Sequence, residues 1–270
     1  MTDFHLHSTF SPDGRSSMAD MARAETERGI KHICFTDHVE NCNASEPLGF
    51  EPGDFYEIRE AYFASIAETR EMFRGRLDIS AGIELGGINH DLETAAAITA
   101  LDGLDFVIGS VHNNRGKADF YFIPYESREE CSELLRDYLL ENIEIAKSGL
   151  CDVVAHIGYP LNCMLARGFE LDLSVHTDTV RELVSELVDR GVGMELNVSG
   201  FRRKINDSEP SMWILKLYRE LGGEIITVGS DGHDVSQAGL FVDRGFSMLR
   251  EAGFKYVTVF EKRKPRFIKI

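Results

Sequence analysis

Short apolar runs alternate with longer amphipathic segments along the whole chain. The short runs are rich in β-branched and aromatic residues and are continuously apolar, which predicts strands buried on both faces of a parallel sheet. The longer segments have apolar residues at helical spacing. Strands are predicted over 2–7, 32–38, 78–85, 105–112, 151–156, 192–197, 224–231 and 256–260. Helices are predicted over about 17–29, 54–74, 90–101, 128–148, 174–190, 210–221 and 237–252.

This alternation predicts an α/β protein of seven or eight βα units arranged as a closed or nearly closed barrel. An open doubly wound sheet is the alternative architecture. Neither a G-x-G-x-x-G nor a G-x-x-x-x-G-K-[ST] sequence supports a nucleotide-binding version of it. Because barrels of about 250 residues commonly form one unit, residues 1–270 are expected to form a single domain.

Composition excludes several classes of function. There are 45 Asp and Glu against 29 Lys and Arg, and the net charge of -16 disfavours nucleic-acid binding, which needs a basic surface. No stretch approaches the roughly 18 apolar residues of a membrane span, and no leader-like pattern opens the chain. The cysteines are odd in number, scattered and without a C-x-x-C pair, which favours a reducing cytoplasm. They are Cys34, Cys42, Cys131, Cys151 and Cys163.

Histidines concentrate at the ends of the predicted strands. Six of the nine lie at the C-terminal end of a strand or one step past it, namely His5, His7, His38, His112, His156 and His233. In a parallel barrel these strand ends meet at one face, so the six imidazoles are expected to converge there. A single buried histidine is more often a core residue than a ligand. His32, His90 and His176 fall elsewhere and are interpreted as structural.

Two pairs and one carboxylate point to metal chelation. His5 and His7 are two residues apart on a strand and therefore face the same side, and Asp231 and His233 repeat this spacing. Glu84 adds a carboxylate, whose two oxygens can bridge two cations. Imidazole with carboxylate and no thiolate suits a catalytic site for zinc, iron or manganese. The sequence therefore predicts a metal-dependent active site.

The same segments resemble a known family. "DFHLHS", "FTDH", "GIELG", "GSVH", "VVAHIG" and "GSDGHD" occur in that order and spacing, as in the PHP (polymerase and histidinol phosphatase) superfamily. "LNVSGFRRKIN" and "ILKLYRELGGEIITVGSDGH" are similar to the histidinol-phosphate phosphatase branch. The resemblance covers nearly the whole chain and implies a distorted, TIM-like (β/α)7 barrel with two to three divalent ions.

The resemblance also implies a ligand set. The first metal would be held by His5, His7, Glu84 and Asp231. Glu84 would bridge to a second metal, completed by His112 and His156. A third would lie between Asp13, His38 and His233, with the loop "STFSPDG" folding back to bring in Asp13. Some family members carry histidine at this position. The aspartate of this chain is therefore expected to change the affinity or the metal preference of the third site. By itself, Asp13 before Gly14 is also a common turn pair.

The activity implied is hydrolysis of a phosphate monoester, L-histidinol phosphate, to L-histidinol and phosphate in histidine biosynthesis. Attack by a hydroxide bridging two metals is expected, with Glu84, Asp231 and His233 as catalytic residues. Another small phosphomonoester or a nucleotide is the alternative substrate. An amidohydrolase barrel also begins with H-x-H, but it usually needs a bridging lysine that the strand ends lack. A non-enzymatic metal-binding module is the remaining alternative, and a possible homo-oligomer is left open.

Phosphate recognition is expected to use arginine, because a guanidinium can hold two phosphate oxygens at once. Arg202 in "SGFRRK" is the first candidate, Arg167 in "CMLARG" the second, and Arg203 a weaker one. Asp37 is expected to orient a ligand rather than to bind metal. The branch usually has a basic, aspartate-containing run after His156, whereas this chain has "IGYPLNCM". The alcohol part of the substrate is therefore less defined than the phosphate.

Overall fold

A computed structural model describes residues 1–41 and 52–270 of the chain. The strands in this part are β1 (Thr2–Leu6), β2 (His32–Phe35), β3 (His38–Glu40), β4 (Asp78–Gly86), β5 (Phe106–Ser110), β6 (Val153–Val154), β7 (Gly193–Asn197), β8 (Ile226–Gly229), β9 (Tyr256–Glu261) and β10 (Lys264–Lys269). The α-helices are α1 (Met18–Glu27), α2 (Pro52–Met72), α3 (Leu92–Thr99), α4 (Arg128–Ser148), α5 (Tyr159–Ala166), α6 (Thr177–Arg190), α7 (Met212–Glu220) and α8 (Val242–Glu251).

The strands form a nearly closed parallel barrel. Their order is β1-β2-β4-β5-β6-β7-β8, and β3 pairs with the later part of β4, so β2 and β3 act as one interrupted strand. The first and last strands meet through a parallel bridge between Leu6 and Gly232. Here the Asp231 amide donates to the His5 carbonyl and the His7 amide to the Gly232 carbonyl. The α/β fold with a distorted (β/α)7 barrel expected from the sequence is confirmed.

Helix boundaries follow local capping chemistry. Ser17 begins α1 by accepting a hydrogen bond from the Asp20 amide, as its sequence predicts. Helix α4 spans the residues predicted for it, because the Ser127 hydroxyl accepts from the Glu130 amide at its start. Gly149, in the left-handed conformation, ends it.

Apolar side chains fill two separate layers. One lies between the sheet and the surrounding helices and includes Leu6, Ile83 and Leu196. The other fills the inside of the barrel and consists of Phe4, Cys34, Phe106, Ile108, Val153, Ala155, Val259 and Phe260. Because both faces of the strands are covered, the continuous apolar runs in the sequence have a direct structural cause.

A bulge in β1 places two sequence neighbours on the same face. The register between β1 and β2 shifts between Asp3 and Leu6, and Asp3 Oδ1 accepts from the His5 amide at 3.3 Å and the Ser230 amide at 2.9 Å. Phe4 packs inside the barrel, while the His5 ring contacts Glu84. The bulge therefore separates the apolar lower interior from the polar upper interior.

The eighth predicted strand is not part of the barrel. Residues 256–261 form β9, which pairs in antiparallel fashion with β10, a strand that the sequence pattern did not indicate. This hairpin closes the barrel bottom, where the Phe260 ring lies 5.0 Å from the Phe106 ring. The barrel thus has seven βα units, and the hairpin supplies its floor. Helix α5 was likewise not predicted, because Pro160 and the short length of Tyr159–Ala166 give no helical period.

Two further expectations from the sequence concern membrane insertion and the state of the cysteines. Within the described residues no helix combines the length and the apolarity that a membrane span requires. Cys34, Cys131, Cys151 and Cys163 are buried free thiols, and Cys42 lies outside the described residues.

The packing of the β9–β10 hairpin against the barrel interior can be tested by its contribution to the free energy of unfolding. Phe260 is 3% exposed and Phe267, on the partner strand, is 46% exposed. We expect Phe260→Ala to lower the free energy of unfolding by about 3 kcal/mol, because it leaves a cavity against Phe106. Phe267→Ala is the matched control and should change it by less than about 1 kcal/mol. Urea denaturation measures both values, and equal effects would contradict the packing role of the hairpin.

Candidate metal centre

Imidazoles and carboxylates from separate strands meet at the open end of the barrel. They line a cavity of about 350 Å³ whose polar walls are formed by Asp13, His38, Glu40, Glu84, Asp119, His112, His156, Arg203, Asp231 and His233. All nine residues expected as metal ligands lie in or directly beneath this cavity. The convergence follows from topology, because the C-terminal ends of parallel strands share one rim.

Glu84 is the centre of the cluster and is 1% exposed. Its Oε2 lies 3.1 Å from His5 Nε2 and 3.4 Å from His7 Nε2. Its Oε1 lies 3.0 Å from His112 Nε2 and 2.9 Å from His156 Nε2. Each carboxylate oxygen therefore faces the Nε2 atoms of its own pair of imidazoles, which is the arrangement expected of a residue that serves two sites.

Hydrogen bonds on the far side of the rings fix where their protons are. His5 Nδ1 donates to Glu195 at 2.7 Å, and His112 Nδ1 donates to Glu40 at 2.8 Å. In a neutral ring the proton on Nδ1 leaves Nε2 as a bare acceptor. His5 Nε2 lies 3.1 Å from His7 Nε2. Acceptors that face one another and a carboxylate repel unless protons or metal cations lie among them.

The His7 ring is fixed in the same way through a serine. Asp37 accepts hydrogen bonds from the Ser11 hydroxyl at 2.7 Å and from the Ser8 amide at 2.7 Å. Since the Ser11 proton is used for Asp37, the Ser11 oxygen accepts from His7 Nδ1 at 3.0 Å. Asp37 therefore orients His7 through Ser11 and makes no direct contact with the ring, which agrees with the supporting position expected of it.

A third group of imidazoles lies at the cavity rim. His7, His38 and His233 place one ring nitrogen each within 4.8 Å of one another. The loop that carries Asp13 does fold back, so that its Oδ2 lies 3.2 Å from His233 Nε2 and its Oδ1 lies 3.8 Å from His38 Nε2. His38 Nδ1 also lies 3.0 Å from Glu84 Oε2.

Asp231 reaches the cluster from a strained backbone. Its φ of 54° is in the left-handed region, which aspartate tolerates better than most residues. Its Oδ1 lies 3.5 Å from His7 Nε2 and 3.9 Å from His5 Nε2. The Arg202 guanidinium donates to the carbonyls of Ser230 and Asp231 and so holds this turn in place.

Electrostatics of the cluster follow from its burial and its mixed charge. Burial alone would lower the pKa of His5, but the carboxylates of Glu195 and Glu84 more than offset it and raise that pKa well above its ordinary value. Burial alone would also lower the pKa of His112, but the carboxylates of Glu40 and Glu84 raise it well above its ordinary value. Burial would raise the pKa of Glu84, but the neighbouring imidazoles lower it well below its ordinary value. The metal-free cluster therefore holds protons where cations could bind.

The donor set fits divalent cations. Three-donor groups with all donor atoms within 4.8 Å are His5–His7–Glu84, Glu84–His112–His156, His7–His38–His233 and His38–Glu40–His112. The first two correspond to the first and second sites expected from the resemblance, and they share Glu84. Imidazole nitrogen with carboxylate oxygen suits zinc and similar ions. The individual roles of the nine ligands and of Glu84, Asp231 and His233 in catalysis stay predictions.

Residues 3–199 of the chain match the PHP domain family. The protein belongs to the PHP domain family. The match includes His5, His7, Glu84, His112 and His156 of the cluster, whereas Asp231 and His233 follow it in the chain.

Similar proteins extend over the full length of this PHP protein. It is 27% identical to a "Probable histidinol-phosphatase" of Thermotoga maritima, with 97% of each chain covered. It is 24% identical to the "Histidinol-phosphatase" of Lactococcus lactis subsp. lactis, covering 97% of this chain and 95% of that one. A crystal structure of histidinol phosphate phosphatase from Lactococcus lactis, "complexed with ZN, L-histidinol and phosphate", superimposes with a TM-score of 0.80 at 21% identity, covering 98% of each chain. That structure shows the shared fold.

The three candidate arginines differ in their positions relative to the cavity. Arg202 is not among the described residues that line the cavity, and its guanidinium donates to the carbonyls of Ser230 and Asp231. Arg167 is exposed and its guanidinium lies 3.4 Å from the Tyr121 carbonyl. Arg203 lines the cavity, with Nη2 3.1 Å from Asp231 Oδ2. The short 3-10 helix Ser199–Arg202 ends in an extended residue at 203, so the two neighbouring arginines diverge.

The other three histidines lie apart from the cluster. His32 Nδ1 is 3.1 Å from Asp78 Oδ2, His90 Nε2 is 2.6 Å from Glu141 Oε2, and His176 Nε2 donates to the Ser132 carbonyl at 2.8 Å. Their contacts agree with the structural interpretation. In addition, none of the described residues that line the cavity is a lysine, which disfavours the amidohydrolase alternative.

Sequence reasoning missed two carboxylates that support the cluster. Glu195 is fully buried, and besides His5 it accepts from the His156 amide at 2.7 Å. Gly229 leaves room for it, since a Cβ there would collide with Glu195 and His5. Glu40 is 5% exposed and holds His112. The available signal was a glutamate in the middle of an apolar strand, as in "GMELN", because such a charge needs a buried partner.

Proton release on metal binding tests the electrostatics. Because the pKa of His38 is raised to about 9 and those of His5 and His112 are also raised, these rings hold protons at pH 7 that ligation must displace. We expect zinc binding to the metal-free protein to release at least one proton at pH 7. We also expect the apparent affinity to weaken as the pH falls below 7, where protons compete more strongly.

Calorimetric titration with zinc in buffers of different ionisation enthalpy measures the number of protons released. The control is His176→Gln, which removes a histidine outside the cluster and should leave that number unchanged. Binding without proton release at pH 7 would contradict the protonation states inferred for the cluster.

Proposed function

We propose that this PHP protein is a metal-dependent phosphatase that hydrolyses L-histidinol phosphate to L-histidinol and phosphate, a step of histidine biosynthesis. The observation that carries the proposal is Glu84, a buried carboxylate with the Nε2 atoms of two imidazoles at each oxygen. Support comes from full-length similarity to proteins named histidinol-phosphatase. A related fold has been solved with zinc, L-histidinol and phosphate.

The cofactor we propose is two to three divalent ions of zinc, iron or manganese. His5, His7, Glu84 and Asp231 would hold the first ion. Glu84, His112 and His156 would hold the second, and Asp13, His38 and His233 the third where it is occupied. Bound divalent cations supply Lewis acidity, which neutralises phosphate oxygens and lowers the pKa of water toward neutrality. The cationic charge would exceed that of the carboxylates, so an acidic protein could bind a phosphate dianion.

The side chains of the chain itself contribute position and charge. Arg203 lies on the cavity wall, and its side chain is 25% exposed, so a guanidinium edge is available to phosphate oxygens. Asp231 keeps Arg203 in this position at 3.1 Å. His233, 18% exposed, is held toward the cavity by its Nδ1, which contacts the Asp231 carbonyl at 3.0 Å. The reaction exchanges the ester P–O bond for a P–O bond to water, and the alcohol leaves with a proton.

We place this reaction in the cytoplasm, as the cysteine usage predicts. The four described cysteines are free and buried, which is typical of a reducing compartment. A possible homo-oligomer stays a prediction from the sequence, and size-exclusion chromatography with light scattering would measure the oligomeric state.

Replacement of the central carboxylate is the sharpest test of the proposed function. We expect Glu84→Gln to lose bound metal and at least about 1,000-fold in kcat/KM for L-histidinol phosphate, because an amide cannot supply two anionic oxygens to two cations. Metal quantification of the purified protein and phosphate release measure the two losses. Circular dichroism should show that the variant remains folded.

The matched control is Glu170→Gln, which removes an exposed glutamate that does not line the cavity and should keep both metal and activity. Full activity in Glu84→Gln would contradict the bridging role. A wild-type protein that binds metal but prefers other phosphomonoesters, such as a nucleotide monophosphate, over L-histidinol phosphate would contradict the substrate.

Arginine variants test which guanidinium binds phosphate. We expect Arg203→Met to lower kcat/KM for L-histidinol phosphate by about 100-fold, because it removes a bidentate donor to phosphate oxygens. Arg167→Ala should cost much less, since that side chain points to the outer surface. Steady-state kinetics measure both. A larger loss in Arg167→Ala than in Arg203→Met would contradict the role of Arg203 and favour Arg167, the second candidate from the sequence.

A further inference from the structure

One carboxylate of the cavity stands apart from the metal cluster. Asp119 lies on the segment between β5 and α4, lines the cavity and is 4% exposed. The Phe120 amide donates to the His112 carbonyl at 3.0 Å and so fixes this segment beside the cluster. The Tyr159 ring lies between the two, 5.4 Å from the rings of His112 and His156. Asp119 is therefore one tyrosine side chain away from the centre at which phosphate would bind.

The other cavity carboxylates each have a nitrogen partner. Asp13 lies beside His233, Glu40 beside His112, Glu84 beside five imidazoles, and Asp231 beside His7 and Arg203. Asp119 differs, because within residues 1–41 and 52–270 it has no histidine, lysine or arginine nitrogen within the 4.0 Å of an ion pair. A buried carboxylate without a countercharge is costly, so a cationic group on a bound ligand would stabilise its charged form.

Hydrogen bonds fix the carboxylate of Asp119 but use only one of its oxygens. Its Oδ1 accepts from the Tyr121 amide at 2.6 Å and from the Tyr159 hydroxyl at 3.2 Å. In the part of the chain that the structure describes, no hydrogen bond to Oδ2 is found. Burial raises the pKa of Asp119, because the charged form is poorly solvated there. The group is thus rigidly held, and one oxygen remains for a ligand.

We propose that Asp119 binds a cationic amine on the alcohol part of the substrate and so determines specificity. The inference rests on the proposed phosphatase function, because the phosphate would be held at the metal cluster on the other side of Tyr159. The substrate class is then a phosphomonoester that carries an ammonium group a few bonds from its ester oxygen. L-histidinol phosphate is such an ester. A nucleotide offers no ammonium, and its phosphates and neutral base would leave Asp119 unpaired.

The kinetic test compares two esters that differ in their amine. We expect Asp119→Asn to lower kcat/KM for L-histidinol phosphate by about 30-fold, mostly through KM, since a charge-assisted hydrogen bond is lost. The fall for 4-nitrophenyl phosphate, which has no amine, should be at least about tenfold smaller. Asp102→Asn removes an exposed aspartate from the loop between α3 and β5 and is the matched control for both esters. Equal falls on the two esters in Asp119→Asn would overturn the proposal.

A binding test does not depend on turnover. We expect the metal-loaded protein to bind L-histidinol at least about tenfold more tightly than 3-(imidazol-4-yl)propan-1-ol, the same alcohol without its amine, and Asp119→Asn to lose this preference. Titration calorimetry measures both affinities. If the variant keeps the preference, the role of Asp119 is wrong. If the wild-type protein hydrolyses neither ester, the phosphatase proposal fails, while the calorimetric comparison still decides which group recognises the amine.

Discussion

The structure depends on a buried glutamate whose two oxygens each face the Nε2 atoms of two imidazoles. Glu84 lies 2.9–3.4 Å from the Nε2 atoms of four histidines, and hydrogen bonds on the opposite ring atoms leave several of these nitrogens as acceptors. So many acceptors cannot stay together without positive charge among them. Protons supply it in the metal-free protein, and divalent cations would supply it in the active one. The surrounding carboxylates, Glu195 and Glu40, keep the rings in the orientation that creates this demand.

Much of the site could be predicted because it depends on topology more than on detail. The ends of parallel strands meet at one rim, so a histidine at a strand end, such as His156, could be assigned without coordinates. The i, i+2 spacing of His5 and His7 required only the alternation of a strand. Glu195 escaped notice because it lies mid-strand among apolar residues. Whether such a glutamate contacts a ring two strands away depends on the register, and the sequence pattern does not encode it.

The fold shows the same division between pattern and detail. Continuous apolar runs were enough to indicate a parallel barrel, since they require cover on both faces. The bulge after Asp3 could not be predicted, because it arises when one carboxylate accepts the amides of both His5 and Ser230. The sequence also could not distinguish the positions of the Arg202 and Arg203 side chains. Their divergence depends on a single extended residue at the end of a short 3-10 helix, and adjacent guanidinium groups look equivalent in sequence.

The β9–β10 hairpin closes one end of the barrel and leaves the other end open. Its buried Val259 and Phe260 pack under Phe4 and Phe106, so the interior below the polar cluster is filled with apolar side chains. Traffic of water and solutes is thereby restricted to the rim where Asp13 and Arg203 lie. A product formed at the polar cluster therefore has to leave past the same side chains that admitted the substrate.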